Sequence, residues 1–184
     1  MKKIDSITIT KQRSYALILQ AMLLFLLGGA IFSGVTNTND FMSAGFSGII
    51  VYILTIVVHE LLHGLGFMLS GVRPKYGVAM AGVVPVAYAT SEEKVSVPGM
   101  LMTAYLPFVA LSVIFLIFAR AYPQYQALAM IGFIANFTGA VGDLWIASKL
   151  WKYLPFGDVL VMDTKAGLKI YSDSPDAAAR GAKA

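Results

Sequence analysis

Four stretches of this chain are long and apolar enough to cross a lipid bilayer as helices. They are residues 15–32, 46–69, 97–119 and 127–146. A helix rises about 1.5 Å per residue, so about 20 apolar residues span the hydrocarbon layer. Hydrophobic residues make up 58% of the 184 residues and charged residues only 13%, which is more apolar surface than one domain can bury in its own core. The sequence therefore predicts a single all-α polytopic membrane domain with four transmembrane helices.

The basic residues favour one orientation of these helices. Except for Arg120, every Lys and Arg precedes the first apolar stretch, lies between the second and third, or follows the fourth. By the positive-inside rule, both termini are expected in the cytoplasm, with short external loops at residues 34–44 and 120–126. The first stretch is longer than the apolar region of a signal peptide and is expected to be a retained anchor. Since no basic patch is interleaved with aromatic residues, the partners expected are lipid and not nucleic acid.

A fifth apolar segment, residues 76–89, is too short for a comfortable span. Glycine and proline interrupt it at Gly77, Gly82 and Pro85. If it crossed the bilayer, the basic carboxyl-terminal region would lie outside, against the charge rule. Two alternatives stay open, a small membrane-associated β hairpin and a re-entrant segment on the cytoplasmic side.

Residues 15–150 form the apolar region, and the segments before and after it are predicted to lie in the cytoplasm. Residues 1–14 form a basic amino terminus. Residues 158–171 contain two short strand patterns around a Lys-Ala-Gly turn, which predict a β hairpin within residues 151–171. Residues 172–184 are small and polar, which is typical of a disordered tail.

The second apolar stretch contains a metal-binding motif. Its residues 59–63 read His-Glu-Leu-Leu-His, and the chain has no other histidine. Residues i and i+4 share a helix face, so the side chains of His59 and His63 can bind one Zn²⁺. Glu60 is next to His59 and can serve as the general base for a water at the open position of the metal. The motif predicts a zinc hydrolase site inside a transmembrane helix.

Catalytic zinc generally takes three protein ligands, so one is missing from this motif. The chain has no cysteine, which leaves a carboxylate. Asp143 is the only acidic residue besides Glu60 within a predicted span, and an ionisable residue at membrane depth is costly and usually functional. Both spans run in the same direction and place His59, His63 and Asp143 in the cytoplasmic half. The alternative is a carboxylate at the helix end, paired with Lys149 or reaching water.

Asn136 lies seven residues before Asp143, on the same helix face. It could act in catalysis by orienting a substrate carbonyl or stabilising an oxyanion, or it could hold a ligand or form an interhelical hydrogen bond. Gly139 and Gly142 on this helix, and Gly64 and Gly66 on the motif helix, are expected to let the two helices approach closely.

These residues resemble a known family. The sequence of residues 59–67, HELLHGLGF, together with Asn136 and the Gly142-Asp143 pair, is similar to the "putative zincin peptidase" family of bacterial and archaeal membrane proteins. That family is in turn similar to the site-2 protease clan of intramembrane zinc metalloproteases. The resemblance covers roughly residues 50–171. In the clan, the third-ligand motif has Asp followed by Gly, whereas here Gly142 precedes Asp143.

The resemblance implies that His59, His63 and Asp143 are zinc ligands and that Glu60 is the catalytic base. It also implies a location in a prokaryotic cytoplasmic membrane. Family members carry a membrane-associated β element after the motif helix, and residues 76–89 occupy that place. By analogy, its edge would hold an unwound substrate segment by strand addition.

The leading prediction is a zinc-dependent intramembrane endopeptidase acting on membrane-protein or peptide substrates, with one zinc ion. Two other functions stay open. One is a membrane-binding or quality-control module that keeps the metal without hydrolysis, although a structural zinc has no need of Glu60 beside an open position. The other is a hydrolase of a lipid amide or ester, because the zinc chemistry does not specify a peptide.

Overall fold

The computed structural model describes residues 1–8, 10–35, 38–81, 84–164 and 167–182. Six α-helices, six strands and two 3-10 helices of three residues each lie within these residues. The helices are α1 (Lys11–Val35), α2 (Thr38–Leu69), α3 (Val97–Ala121), α4 (Gln126–Gly139), α5 (Val141–Leu150) and α6 (Pro175–Gly181). The strands are β1 (Lys2–Thr8), β2 (Lys75–Ala81), β3 (Val84–Thr90), β4 (Lys94–Ser96), β5 (Leu160–Thr164) and β6 (Gly167–Ser172).

Helices α1 to α4 form an apolar bundle. Helix α2 packs against α3 and α4, and α1 packs mainly against α4. Many large apolar side chains on the outside of the bundle are exposed, including Leu26 at 65% and Ile117 at 63%. By length and composition, three helical segments could cross a membrane, namely Gln12–Ala30, Ala44–Leu69 and Val97–Ala121. The fold class was therefore predicted in its main features, a mostly helical membrane protein with small β sheets.

The fourth predicted span, residues 127–146, is not one straight helix. It is divided into α4 and α5, and the helical segments on either side of the break are bent by 41°. Taken together, these segments are long and apolar enough to form a fourth, broken span or a re-entrant loop. The break is at Ala140, between Gly139 and Gly142, and glycine lowers the stability of a helix interior. As a result, Asp143 lies in the first turn of α5 and not in the middle of a continuous helix. A carboxylate is favoured there by the positive end of the helix dipole.

The segment predicted as either a β hairpin or a re-entrant segment contains two antiparallel strands. Strands β2 and β3 pair from Lys75 with Thr90 to Ala81 with Val84, and residues 82 and 83 lie outside the described part of the chain. Within that part, β3 has a paired strand on one edge only. The structure thus favours the β alternative, and it leaves the other edge of β3 without a strand.

A second sheet covers one end of the bundle and is larger than predicted. Its strand order is β1-β6-β5-β4, with antiparallel neighbours. The basic amino terminus, for which no strand was predicted, supplies β1, and the segment before α3 supplies β4. The predicted hairpin corresponds to β5 and β6, with residues 165 and 166 of its turn outside the described residues. The core side chains Leu150, Tyr153, Val161 and Ile170 have no exposed surface.

The carboxyl-terminal segment differs from the expected disordered tail. Residues Pro175–Gly181 form α6, whose amino end is capped by the Ser174 hydroxyl accepting a hydrogen bond from the backbone N–H of Ala177. Ala177 is completely buried, and α6 packs against β1. The small and polar composition of this segment predicted disorder. The helix forms because it packs on a surface supplied by the distant amino terminus, which composition does not reveal.

Candidate metal centre

His59 and His63 lie on the same face of α2, as their spacing predicts. Their ring centroids are 4.8 Å apart, and the two residues are only 5% and 7% exposed. A buried imidazole without partners is costly, so each ring must be stabilised by contacts to other elements.

Asp143 completes a group of three potential ligands. Its Oδ2 lies 3.1 Å from Nε2 of His59 and 3.2 Å from Nε2 of His63. The three ligand atoms all lie within 4.8 Å of one another. Bonds of about 2.0–2.2 Å in a tetrahedral zinc site place neighbouring ligand atoms roughly 3.3–3.6 Å apart. The group could therefore hold a metal ion, and two imidazoles with a carboxylate are donors that suit zinc.

The other nitrogen of each histidine is held by an oxygen. Nδ1 of His63 donates to the backbone carbonyl of Thr103 on α3, at 2.9 Å. Nδ1 of His59 lies 2.9 Å from Oδ1 of Asn136 on α4. Because an Nδ1–H that donates leaves the lone pair on Nε2, both rings present a metal-binding nitrogen to Asp143.

The orientation of the Asn136 amide is determined by its surroundings. Its Nδ2 donates to the carbonyl of Phe108 at 3.1 Å and to the hydroxyl of Ser112 at 3.2 Å. A carbonyl can only accept, so Nδ2 must face Phe108 and Oδ1 must face His59. Asn136 is 1% exposed and does not line the catalytic cavity described below. This geometry favours the ligand-holding alternative over the predicted catalytic role.

Glu60 lies beside the three potential ligands. It follows His59 on α2 and lines the same cavity as His59, His63 and Asp143. Its carboxylate accepts a hydrogen bond from the backbone of Ala89 on β3. The motif helix, the broken helix and the β2–β3 sheet therefore meet at one point.

We call the space around these side chains the catalytic cavity. It has a volume of about 480 Å³ and extends from α2 to β3, α3, α5 and β5. A second cavity, the lateral cavity, has a volume of about 840 Å³ and lies between α1, α2 and α4. Tyr52 and Gly139 line both cavities, so the two spaces are adjacent.

Gly139 and Gly142 do not have the role in helix packing that was predicted for them. A Cβ added to Gly139 or Gly142 would meet nothing within 4 Å, and both residues line the catalytic cavity. They leave space near the metal centre and do not bring helices into contact. The close approach predicted for Gly66 is confirmed, and its partner is α3: an added Cβ would lie 2.7 Å from Cα of Thr103.

Sequence reasoning missed the contribution of β5. Asp163 lines the catalytic cavity, and burial raises the pKa of its carboxyl group to about 6. Its segment was interpreted only as a strand pattern, and alternation in a strand does not say which face meets a cavity. Thr103 and Ser112 were also missed, because hydrogen bonds to a backbone carbonyl or between distant helices leave no local motif.

Comparison with known proteins gives one finding. A family model described as "Putative zincin peptidase" matches residues 52–155, which is more than half of the chain. The matched region contains the three potential metal ligands, Glu60 and Asn136, and it ends before Asp163. No curated protein and no solved structure match.

Proposed function

Since the chain belongs to the putative zincin peptidase family, we propose that it is a zinc-dependent intramembrane endopeptidase. The observation that carries this proposal is the orientation of the two histidines. Both Nε2 atoms converge on Oδ2 of Asp143, and Glu60 lines the same cavity. A metal with three protein ligands and an open position beside a carboxylate is the arrangement of a hydrolytic zinc site.

The position of this group supports cleavage within a membrane. His59, Glu60 and His63 belong to the apolar segment Ala44–Leu69. The lateral cavity is lined mainly by apolar side chains, among them Ile18, Met22 and Phe25 of α1. An apolar substrate segment could therefore approach the metal centre from the lipid side, between α1 and α2. We infer that the protein is a multi-pass protein of a prokaryotic cytoplasmic membrane with both termini in the cytoplasm.

The proposed mechanism assigns the proton transfers to Glu60. Zinc, when bound, supplies Lewis acidity that activates a water and polarises a carbonyl. The Glu60 carboxylate accepts a proton from the attacking water, whose oxygen bonds to the carbonyl carbon. Glu60 then gives this proton to the leaving nitrogen as the C–N bond breaks. Asn136 and Thr103 keep the two imidazoles oriented throughout.

Strand β3 is the proposed docking edge for the substrate. A peptide bond in a transmembrane helix is already hydrogen-bonded, so the substrate must unwind before cleavage. The contact of Glu60 with the backbone of Ala89 brings the base beside β3. A substrate strand added to β3 would have its peptide groups hydrogen-bonded and its scissile bond near Glu60.

Substitution of the base and of the third ligand tests this proposal. Glu60→Gln should retain zinc and lower cleavage of a transmembrane peptide at least about 100-fold, because general acid–base catalysis contributes that much. Asp143→Ala should lose zinc as well as activity. Both variants and the wild type are purified in nanodiscs, and metal content and cleavage are measured with and without chelator.

The outcomes separate the proposed activity from its alternatives. Zinc without chelator-sensitive cleavage of any substrate would favour a non-hydrolytic membrane module. Release of products from lipid extracts but not from peptides would favour a lipid amide or ester hydrolase. Cleavage by Glu60→Gln at the wild-type rate would contradict the mechanism.

A further inference from the structure

Asp163 is a carboxylate of the catalytic cavity that the proposed reaction does not use. It lies on β5, so it reaches the cavity from the four-stranded sheet. It shares the cavity wall with Glu60, His63 and Asp143. Among the described residues, no Lys or Arg forms a salt bridge with it.

Thr90, at the end of β3, lies beside this carboxylate. Its hydroxyl is buried and has no hydrogen-bond partner of normal geometry within the described chain, yet it is close enough to Asp163 to favour the ionised carboxylate. Burial has the opposite and larger effect and raises the pKa of Asp163. A partly buried carboxylate that pairs with no Lys or Arg of the described chain, and a buried hydroxyl without a well-formed hydrogen bond, both cost free energy. A cationic ligand would compensate both.

Strand β3 sets the distance between Glu60 and the pair formed by Asp163 and Thr90. The Glu60 carboxylate accepts a hydrogen bond from the backbone of Ala89, and Thr90 is the next residue. Residues of paired strands lie opposite one another and advance about 3.3 Å per residue. A substrate strand on β3 with its scissile bond at Glu60 would therefore bring a side chain one or two residues away to Thr90 and Asp163.

We propose that Asp163 and Thr90 form a subsite for a basic side chain, Lys or Arg, within about two residues of the scissile bond. This inference rests on the proposed peptidase function and adds a substrate class to it. Lys and Arg are the residues that accumulate at the cytoplasmic ends of membrane segments. Their N–H groups would donate to the Asp163 carboxylate as charge-assisted hydrogen bonds, and the Thr90 hydroxyl would accept another.

The test uses a set of synthetic transmembrane peptides that differ at one position. Lys, Arg, norleucine or Glu is placed in turn at each of the positions around the cleaved bond, and kcat/KM is measured for the full chain in nanodiscs. At one position, Lys and Arg peptides should be cleaved about tenfold faster than the norleucine peptide. Asp163→Asn should bring this ratio close to one, and Asp163→Lys should reverse it in favour of Glu. Glu92→Gln removes an exposed carboxylate that pairs with Lys75 and should leave the ratio unchanged.

Binding distinguishes failure of this inference from failure of the proposed function. Fluorescent Lys and norleucine peptides are titrated onto Glu60→Gln and onto Glu60→Gln with Asp163→Asn. Tighter binding of the Lys peptide that is lost with Asp163→Asn supports the subsite even if no peptide is cleaved. An equal affinity for the two peptides, or a preference that survives Asp163→Asn, overturns it. Cleavage without any basic preference would leave the peptidase function intact and reject the subsite alone.

Discussion

At the scale of single residues, the candidate metal centre depends on partners that orient its potential ligands. Asn136 uses its carbonyl for His59 and its amide N–H groups for Phe108 and Ser112. Such outer contacts orient a histidine and set its tautomer. A residue that contributes no metal-binding atom can therefore determine the affinity of the site.

Replacing Asn136 by Ala should lower zinc affinity about 10–100-fold, because His59 loses the acceptor for its Nδ1–H. Competition with a chromophoric chelator at a fixed pH measures this change. Ser112→Ala is the matched control, since it removes only one of two acceptors of the Asn136 amide, and it should weaken zinc binding far less. Equal zinc affinity in Asn136→Ala and wild type would contradict the positioning role.

At the scale of elements, the contact between α2 and α3 positions His63. Gly66 lies on the motif helix three residues after His63, and its Cα faces Thr103. The carbonyl of the same Thr103 accepts the hydrogen bond from His63. The contact of Gly66 with Thr103 therefore brings the two helices close together and also places the carbonyl that orients His63.

Gly66→Ala should destabilise the protein by about 1–3 kcal/mol, since an added Cβ would overlap the backbone of α3. It should also weaken zinc binding as Thr103 moves away from His63. Denaturation in detergent micelles followed by circular dichroism measures the first effect, and the chelator assay measures the second. Gly29→Ala on α1, where an added Cβ meets nothing within 4 Å, should leave stability unchanged or raise it. Unaltered stability of Gly66→Ala would show that α3 can shift without cost.

At the scale of the whole molecule, the two ends of the chain meet at the four-stranded sheet. Asp5 on β1 accepts a hydrogen bond from the buried Tyr153 and one from Lys152, whose Nζ is 3.2 Å away. Burial alone would raise the pKa of Asp5, but these hydrogen bonds and one from the backbone of Ser6 lower it below the ordinary value of 3.8. The amino terminus is thereby attached to the segment that follows α5.

Asp5→Asn should reduce stability by about 1–3 kcal/mol at neutral pH, because a hydrogen-bonded carboxylate is lost. Because the pKa of Asp5 is lower in the folded state, its ionised carboxylate stabilises the fold above about pH 4. This stabilisation is lost as the pH falls and the carboxylate becomes protonated in the folded state. The difference between wild type and variant should therefore shrink below pH 4, as measured by thermal unfolding in detergent. Asp173→Asn removes an exposed ion pair to the amino terminus and should change stability little. A difference independent of pH would contradict the role of the Asp5 charge.

Local patterns predicted the parts of this protein that depend on neighbouring residues. Apolar length predicted helices that could span a membrane, and the spacing of His59 and His63 predicted a shared helix face. The glycine and proline interruptions argued against a spanning helix at residues 76–89, where the structure has strands. The grouping of Asp143 with the histidines was also predicted, because few other residues could supply a ligand. The assignment of these three residues as zinc ligands stays a prediction.

Several other features that depend on distant residues were not predicted. The strand formed by residues 2–8 needs β6 as its partner, and α6 needs the surface of β1. The bend at Ala140 and the inward position of Asp163 likewise depend on packing. Hydropathy and charge describe how each segment interacts with lipid or water, and they contain no information about which distant segment will cover it.

The sequence by itself determined that this is a membrane protein with a HExxH helix and one further carboxylate suited to a metal. It could do so because burial in lipid and ligand chemistry are properties of individual residues and short spacings. Only the tertiary structure decided that Asn136 is hydrogen-bonded to His59, that Asp143 lies in the first turn of α5, and that Asp163 reaches the catalytic cavity. Those roles are set by distances of about 3 Å between residues far apart in the chain, at which a hydrogen bond forms or fails.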